Sequence, residues 1–554
     1  MALFEGSEIF VELLNANGVD CIFYNPGFDV VPLLSAIARY KAAGKPAPAT
    51  IMCLDEFSAM NAAHGNYMIS GRPQVVLVHA ELGTQQVGGA IQQAWWGRIP
   101  LILCAANMVS PERLNWKEEP YDPGAMVRNC VKWDHQVGRN ESFYEALNQA
   151  FQVADSDPKG PVYLCYPVDT LLKKVEIQTI KPAAKRTMPE PNPAILNSAA
   201  DLLLRAENPL VMTSYSGRDP RTVASLIALA ETVGARVVTS SVRMNFPSDH
   251  PLCANLEPTD GMQSKPYFLS SDILLVIDYD IPYAYPPSLP NPGTKIIHVD
   301  IDFVKQGTPL WNRRADIPIK ADSAKVIPAL THMVRTKITA EQSQRIHERS
   351  RKIQDENLKV REGYLALGKS AGDKKPISPE WLAYCINQVI DEDTIVVNQT
   401  IMPSASVARQ ISRTRPGTLV ACAGGTIGWA LGAALGAKVA APDKLVVSLM
   451  GDGAFVYGGP TATLWPAANY KVPFLSVIFN NQAYGAIKML FQGAWKEGIK
   501  DSLILPSPDY ATTAQACGAY GRKVEDPQVV LPALEEAIAQ VRRGKAAVLD
   551  VRCS

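Results

Sequence analysis

A carboxylate, a side-chain amide and a backbone carbonyl brought to one point can hold a hard, oxygen-seeking cation, and residues 444–486 carry all three. An apolar run ends at Met450 and Gly451-Asp452-Gly453 follows at once; a second apolar run ends at Asn480-Asn481. A right-handed crossover sets two such strand ends on one edge of a sheet, so Asp452 and Asn481 can converge on an ion, with the Ala483 carbonyl as a third ligand. Three protein ligands leave the shell of Mg²⁺ incomplete, and phosphate oxygens usually complete it. Gly451 and Gly453 carry no side chain where the backbone would approach such phosphates, and a following helix N-terminus favours anions. A glycine-rich turn followed by an unrelated Asn-Asn turn is the plainer alternative; the paired Asn at the end of the next strand favours the ion site.

Acid–base candidates lie nearer the N-terminus. Glu56 follows the apolar run ATIMCLD and opens a helix of small residues, with Asp55 beside it as competitor. His79 ends the strand-like run VVLVH; there it can orient a carboxylate and move protons near neutral pH, or simply be structural. Glu81 and Gln86, in HAELGTQQ, can contact a substrate or serve as solvated or capping residues.

The elements that must position these groups follow an α/β rhythm. CIFYNPG, ATIMCLD, QVVLVHA and IPLILCAA alternate with helical sequence, which predicts a parallel sheet covered on both faces. Three doubly wound parallel-sheet domains are expected, over residues 1–175, 193–335 and 376–554. The stretch VEIQTIKPAAKRTMPEPNPA between the first two reads as a linker, and MALFEGSEIFVELL at the start as an amphipathic helix. Open parallel sheets bind ligands at the carboxyl ends of their strands, where Asp452, Asn481, Glu56 and His79 all fall.

Lys+Arg and Asp+Glu are equal at 54 each, so no net field draws nucleic acid or an anionic membrane. The ten cysteines are scattered and often lie in apolar runs, which fits free thiols in a reducing compartment. No signal-peptide pattern or membrane-length apolar run is evident, and a cytoplasmic protein is expected.

The G-D-G to N-N spacing resembles the cofactor motif of thiamine-diphosphate-dependent enzymes, and AGGTIGWALGAALG (423–436) resembles the segment before it. FYNPG, the Glu56 region, LVHAELGT, VKWDHQV, GPVYLCYP and NNQAYGAIK are similar to benzoylformate decarboxylases, with acetolactate-synthase-like proteins close behind. The resemblance implies pyrimidine-binding, central and diphosphate-binding domains in that order. It implies thiamine diphosphate and Mg²⁺ as cofactors, the ion on Asp452, Asn481 and Ala483, with Gly425, Ile427 and Pro26 against the cofactor. Ile427 would wedge the cofactor into its bent shape; alone, it reads equally as a core residue. Glu56 would hydrogen-bond the aminopyrimidine and so activate the thiazolium, and His79 would face the substrate. Active sites would lie between subunits of a homodimer or homotetramer. Ile487, Leu490 and the segment through Trp495 resemble a helix that covers the substrate. Two departures alter the pocket: Phe28 replaces the family's active-site serine, and Asp280 stands near the place of its second histidine. The implied activity is non-oxidative cleavage or formation of a carbon–carbon bond in small carbonyl substrates, 2-oxo acids or 2-hydroxy ketones. Acetolactate-synthase-like carboligation or flavin-dependent oxidation is the runner-up, and a non-catalytic scaffold a third reading. No glycine-rich fingerprint in the central unit calls for FAD, which is not expected.

Overall fold

The computed structural model describes residues 2–107, 122–138, 141–177, 179–184, 188–240, 242–254, 265–279, 290–305, 314–488 and 508–554. Its first sheet has strands β1 (Cys21–Tyr24), β2 (Ala49–Met52), β3 (Gln74–His79), β4 (Leu101–Asn107), β5 (Asp134–Gln136) and β6 (Val162–Pro167). They are all parallel, in the order β2-β1-β3-β4-β6-β5. The central sheet has β7 (Pro209–Thr213), β8 (Arg236–Thr239), β9 (Ile273–Ile277), β10 (Lys295–Val299) and β11 (Ile317–Ile319), ordered β8-β7-β9-β10-β11. The last has β12 (Ile395–Gln399), β13 (Leu419–Ala421), β14 (Val446–Gly451), β15 (Leu475–Asn480), β16 (Tyr520–Val524) and β17 (Ala547–Arg552). Their order is β13-β12-β14-β15-β17-β16, so the first and third sheets share one topology, 2-1-3-4-6-5. In each sheet the strand order reverses between the first and third strands. That reversal opens the crevice where such folds take ligands.

The central strands of each sheet are runs of Val, Ile and Leu buried along their length, as a sheet covered on both faces requires. All three expected parallel-sheet domains are present. Two local expectations are corrected. The N-terminus is not helical from its start: Ala2–Glu5 is a strand, and the helix runs Gly6–Ala16. That strand's antiparallel partner, Lys174–Ile177, takes in the first residues of the supposed linker, from Val175. Neither segment has an internal pattern that announces a strand; each is fixed by pairing with the other. Among the described residues no helix is long and apolar enough to cross a membrane, and none of the ten cysteines is in a disulfide.

One apolar core runs without a break from the first domain into the third. It is built where helix Glu56–Ser70 lies against helix Trp429–Ala440 with glycine and alanine at the crossing. A Cβ on Gly436 would sit 1.7 Å from the Ala62 carbonyl oxygen, and one on Gly65 would sit 2.1 Å from that of Ala433. Both obstacles are backbone and cannot swing away. Gly436→Ala should therefore destabilise the fold by about 1–3 kcal/mol, although alanine is the better helix former. Urea denaturation measures this, and an unchanged midpoint would contradict the close crossing. The helix that begins with Glu56 is thus bolted to the C-terminal domain.

Candidate functional site

At the reversal point of the third sheet, the ends of β12 and β14 border a cleft of about 430 Å³. Gly425, Thr426 and Ile427 form one wall, Gly451, Asp452 and Gly453 the floor, and Asn481, Ala483 and Ile487 the opposite side. Asp452 is 3% exposed; its Oδ1 accepts the Gly453 N–H at 2.9 Å, while Oδ2 has no hydrogen-bond partner. The nearby amides of Gln482 and Ala483 are engaged by Asn480 Oδ1 and Asn481 Oδ1, at 3.1 Å each. Burial pushes the Asp452 carboxyl above its ordinary range, with the Gly453 amide first, then those of Gln482 and Ala483, drawing it partly back.

The paired asparagines divide their work. Asn480 is locked by donating Nδ2 to Asp550 at 2.7 Å, whereas Asn481 lines the cleft. Gln482, held at φ +54°, turns the chain so that residues 481–483 face Asp452.

These residues fit the group that the motif implies. Asp452 is the only charged side chain among the described residues lining the cleft. A diphosphate placed there meets no lysine or arginine from this wall, so a divalent cation must stand between it and the carboxylate. Cβ atoms on Gly425 and Gly451 would meet no protein atom within 4 Å, so what a side chain would crowd there is the content of the cleft. Gly453 has a different reason: a Cβ would lie 2.9 Å from the Tyr484 ring. Ile427 is half-buried, packs against the core and lines the cleft.

The wall at 424–427 is held from two sides by residues that the sequence did not single out. Gln399, at the end of β12, donates to the Thr426 carbonyl at 2.8 Å and accepts the Ala430 N–H at 3.0 Å. Gln93, from the first domain, donates to the same carbonyl and accepts the Gly424 N–H at 2.7 Å. A polar residue closing the strand at the reversal point was the available signal for Gln399. Gln93 had none.

The matching reversal point of the first sheet, between β1 and β3, carries the other candidates. Glu56 is 9% exposed and accepts a hydrogen bond from Asn25 Nδ2 at 3.3 Å. Gly83 makes room for it, since a Cβ there would be 2.9 Å from Glu56 Oε1. Burial raises the Glu56 carboxyl, and Asp55 adds to the rise. Asp55 is committed elsewhere: its Oδ1 caps the helix through the Ser58 N–H at 2.6 Å. His79, at the end of β3, has its Nδ1 3.0 Å from Asp29 Oδ1. Asp29 is fully buried, and its other oxygen accepts the N–H of Ala80, a residue at φ +42°. Phe28, 49% exposed, sets its ring edge-on to His79 at 5.3 Å, and Pro26 beside it is exposed. Glu81 is half-buried in the first turn after His79, and Gln86 is exposed. Asp280, Leu490 and Trp495 lie outside the described residues.

Within one chain the two constellations remain separate: neither Glu56, His79 nor Phe28 lines the 430 Å³ cleft. Glu56 faces Asn25 and Gly83, while the next ring, Phe57, packs on Tyr457 at 5.5 Å.

Family models account for this pairing of like-wound domains. The model described as "Thiamine pyrophosphate enzyme, N-terminal TPP binding domain" matches residues 4–124, the central-domain model 196–330, and the C-terminal TPP-binding model 402–551. The chain belongs to the thiamine pyrophosphate enzyme family. Family relatives include the benzoylformate decarboxylase of Pseudomonas aeruginosa, 26% identical over 539 residues and 96% of each chain. A probable acetolactate synthase large subunit of Methanocaldococcus jannaschii is 26% identical over 560 residues, covering 96% of this chain and 90% of that one. In fold, the chain is similar to the thiamine diphosphate-dependent 4-hydroxybenzoylformate decarboxylase of Rhodococcus jostii RHA1. The TM-score is 0.82 at 24% identity, over 100% of this chain and 99% of that one.

Proposed function

We propose that this thiamine-diphosphate enzyme is a Mg²⁺-requiring lyase that cleaves, and in reverse forms, the bond beside the carbonyl of a 2-oxo acid or 2-hydroxy ketone. The observation that carries the reading is the cleft whose only charged wall residue, among the described residues, is a buried carboxylate with one unengaged oxygen. Asp452, Asn481 and the Ala483 carbonyl would hold the ion, with Gly425, Gly451 and Ile427 against the diphosphate and rings. When bound, thiamine diphosphate supplies a nucleophilic thiazolium carbon and a ring that accepts the electron pair released when the carbon–carbon bond breaks.

Glu56 contributes a carboxyl group kept from water, so a hydrogen bond from it to a pyrimidine nitrogen is stronger than in solvent. His79 is the residue for proton movement at the substrate. Asp29 Oδ1, 3.0 Å from Nδ1, fixes the ring, and in the tautomer that carries its proton on Nδ1 the proton-exchanging lone pair falls to Nε2. Phe28 puts an apolar face beside that imidazole where a hydroxyl would otherwise act, and with Ile487 it favours a substrate with an apolar acyl group.

The Glu56 half-site would be completed by the Asp452 half-site of a second protomer. Exposed apolar residues border both, with Phe28, Leu54 and Leu82 on one side and Ile401, Met402 and Tyr457 on the other. A homodimer is the smallest assembly that satisfies this, and a homotetramer contains two such pairs.

The test is a screen of aromatic and aliphatic 2-oxo acids and 2-hydroxy ketones with Mg²⁺ and cofactor, reading CO₂ and aldehyde. Release from none of them would defeat the proposal. The match to an acetolactate synthase subunit supports carboligation as a second reading. Stoichiometric flavin absorbance in the purified protein would favour that reading or an oxidase.

Asp29→Asn should lower turnover roughly ten- to hundredfold, the value of one charge-assisted hydrogen bond, with little change in KM. It should also shift the pH–rate profile, which a merely structural defect would leave in place. An unchanged profile would return His79 to a structural role.

A further inference from the structure

A second cavity, of about 200 Å³, lies where all three domains meet, and it shares no lining residue with the cofactor cleft. Most of the cations around it are already matched. Arg98 pairs with Asp300 at 3.4 Å and stacks on Tyr215, Arg218 pairs with Asp278, and Lys159 with Asp155. Arg243 is different. It is 7% exposed and gives Nη1 to the Met68 carbonyl at 3.0 Å, and among the described residues no carboxylate pairs with it. Beside it His64 is 1% exposed, and neither ring nitrogen has a hydrogen-bond partner. Burial, with Arg243 adding to it, pushes His64 down to about 3, so the ring is neutral and offers one N–H.

A buried guanidinium without a counter-charge and an imidazole with both nitrogens unsatisfied are each costly to a fold. Here both line one cavity with room for several water-sized groups. Water can satisfy the imidazole but leaves the guanidinium charge uncompensated.

We propose that this cavity binds a small organic carboxylate, its oxygens on the Arg243 guanidinium and a His64 N–H, its carbon end against Met68, Trp96, Val242 and Ile301. Among the described residues lining the space only Arg243 lacks a carboxylate partner, and Asp157 also lines it, which favours a single negative charge over a phosphate dianion. Such a ligand joins the central domain, through Arg243, to the helix that begins with Glu56, through His64. The site does not depend on which reaction the enzyme performs.

Calorimetric titration of the full chain with sodium propionate, in chloride-poor buffer, tests it. One site per chain is expected. Arg243→Lys, which keeps the charge but loses the fork, should weaken binding about tenfold, and Arg243→Met should abolish it in protein with wild-type circular dichroism. His64→Gln gives a second check, with weaker binding expected from a longer, differently placed amide. Asp452→Ala should bind propionate as the wild type does, which separates this cavity from the cofactor cleft. No heat up to about 10 mM propionate, equal affinity in the Arg243 variants, or tighter competition by inorganic phosphate would overturn the proposal.

Discussion

Asp452→Ala is expected to lose Mg²⁺ and thiamine diphosphate together, with cofactor affinity falling at least about a hundredfold, equivalent to ~2.7 kcal/mol. Charge decides this effect. The described wall of the cleft offers a diphosphate no cationic side chain, so in the proposed site the ion would be the bridge, with Asp452 the one carboxylate among the described lining residues to hold it. The same variant separates function from structure. Asp452 Oδ2 is buried without a partner, and burial already raises its carboxyl group. Removing it should leave the ligand-free protein no less stable, and up to about 1 kcal/mol more stable, since a desolvated carboxylate disappears. Calorimetric titration with Mg²⁺ and cofactor, alongside thermal melting without them, reads both effects. Tight cofactor binding by the variant in EDTA would end the assignment.

The parts of the site legible in the sequence are those that a single strand end carries. Gly451-Asp452-Gly453 and Asn480-Asn481 each follow a buried strand directly, and parallel pairing of β14 with β15 brings the two ends together without help from elsewhere. Glu56 and His79 were visible for the same reason. What the sequence did not display are partners that meet only after folding. Asp29 reaches His79 across 50 positions, and Gln93 grips the 424–426 wall from more than 300 positions away. No periodicity encodes such a meeting. The short strands β5, β11 and β16 escaped notice because Asp134–Gln136, Ile317–Ile319 and Tyr520–Val524 are brief or carry polar and charged residues at a sheet edge. The identical winding of the first and third sheets was equally hidden, since their strand order is set by crossovers rather than by residues in the strands. That shared winding places the two proposed half-sites alike, each at its own sheet's reversal point.

Glu56→Gln should then reduce turnover by about 10²–10⁴ while Mg²⁺ and cofactor stay bound, because Asp452 and its loop are untouched. Its effect on stability has a defined sign. Burial raises the folded pKa of Glu56 above the unfolded value, so the stability it contributes is present below the unfolded pKa and is lost as pH rises through the folded one. Above the unfolded value the raised pKa is thus a cost in the cofactor-free protein. Glu56→Gln should therefore raise the melting temperature at pH 7, and leave it unchanged at pH 4. The decisive measurement mixes this variant with Asp452→Ala by co-expression. If Glu56 of one protomer serves the Asp452 cleft of its partner, a mixed dimer contains one site with both lesions and one with neither, and activity returns although both parents are inactive. If both groups serve the same chain's cleft, every site keeps a lesion and nothing is restored. Isolated mixed dimers should recover roughly half the wild-type turnover, one sound site in two; recovery at the level of the parents would mean that the two half-sites do not combine between subunits.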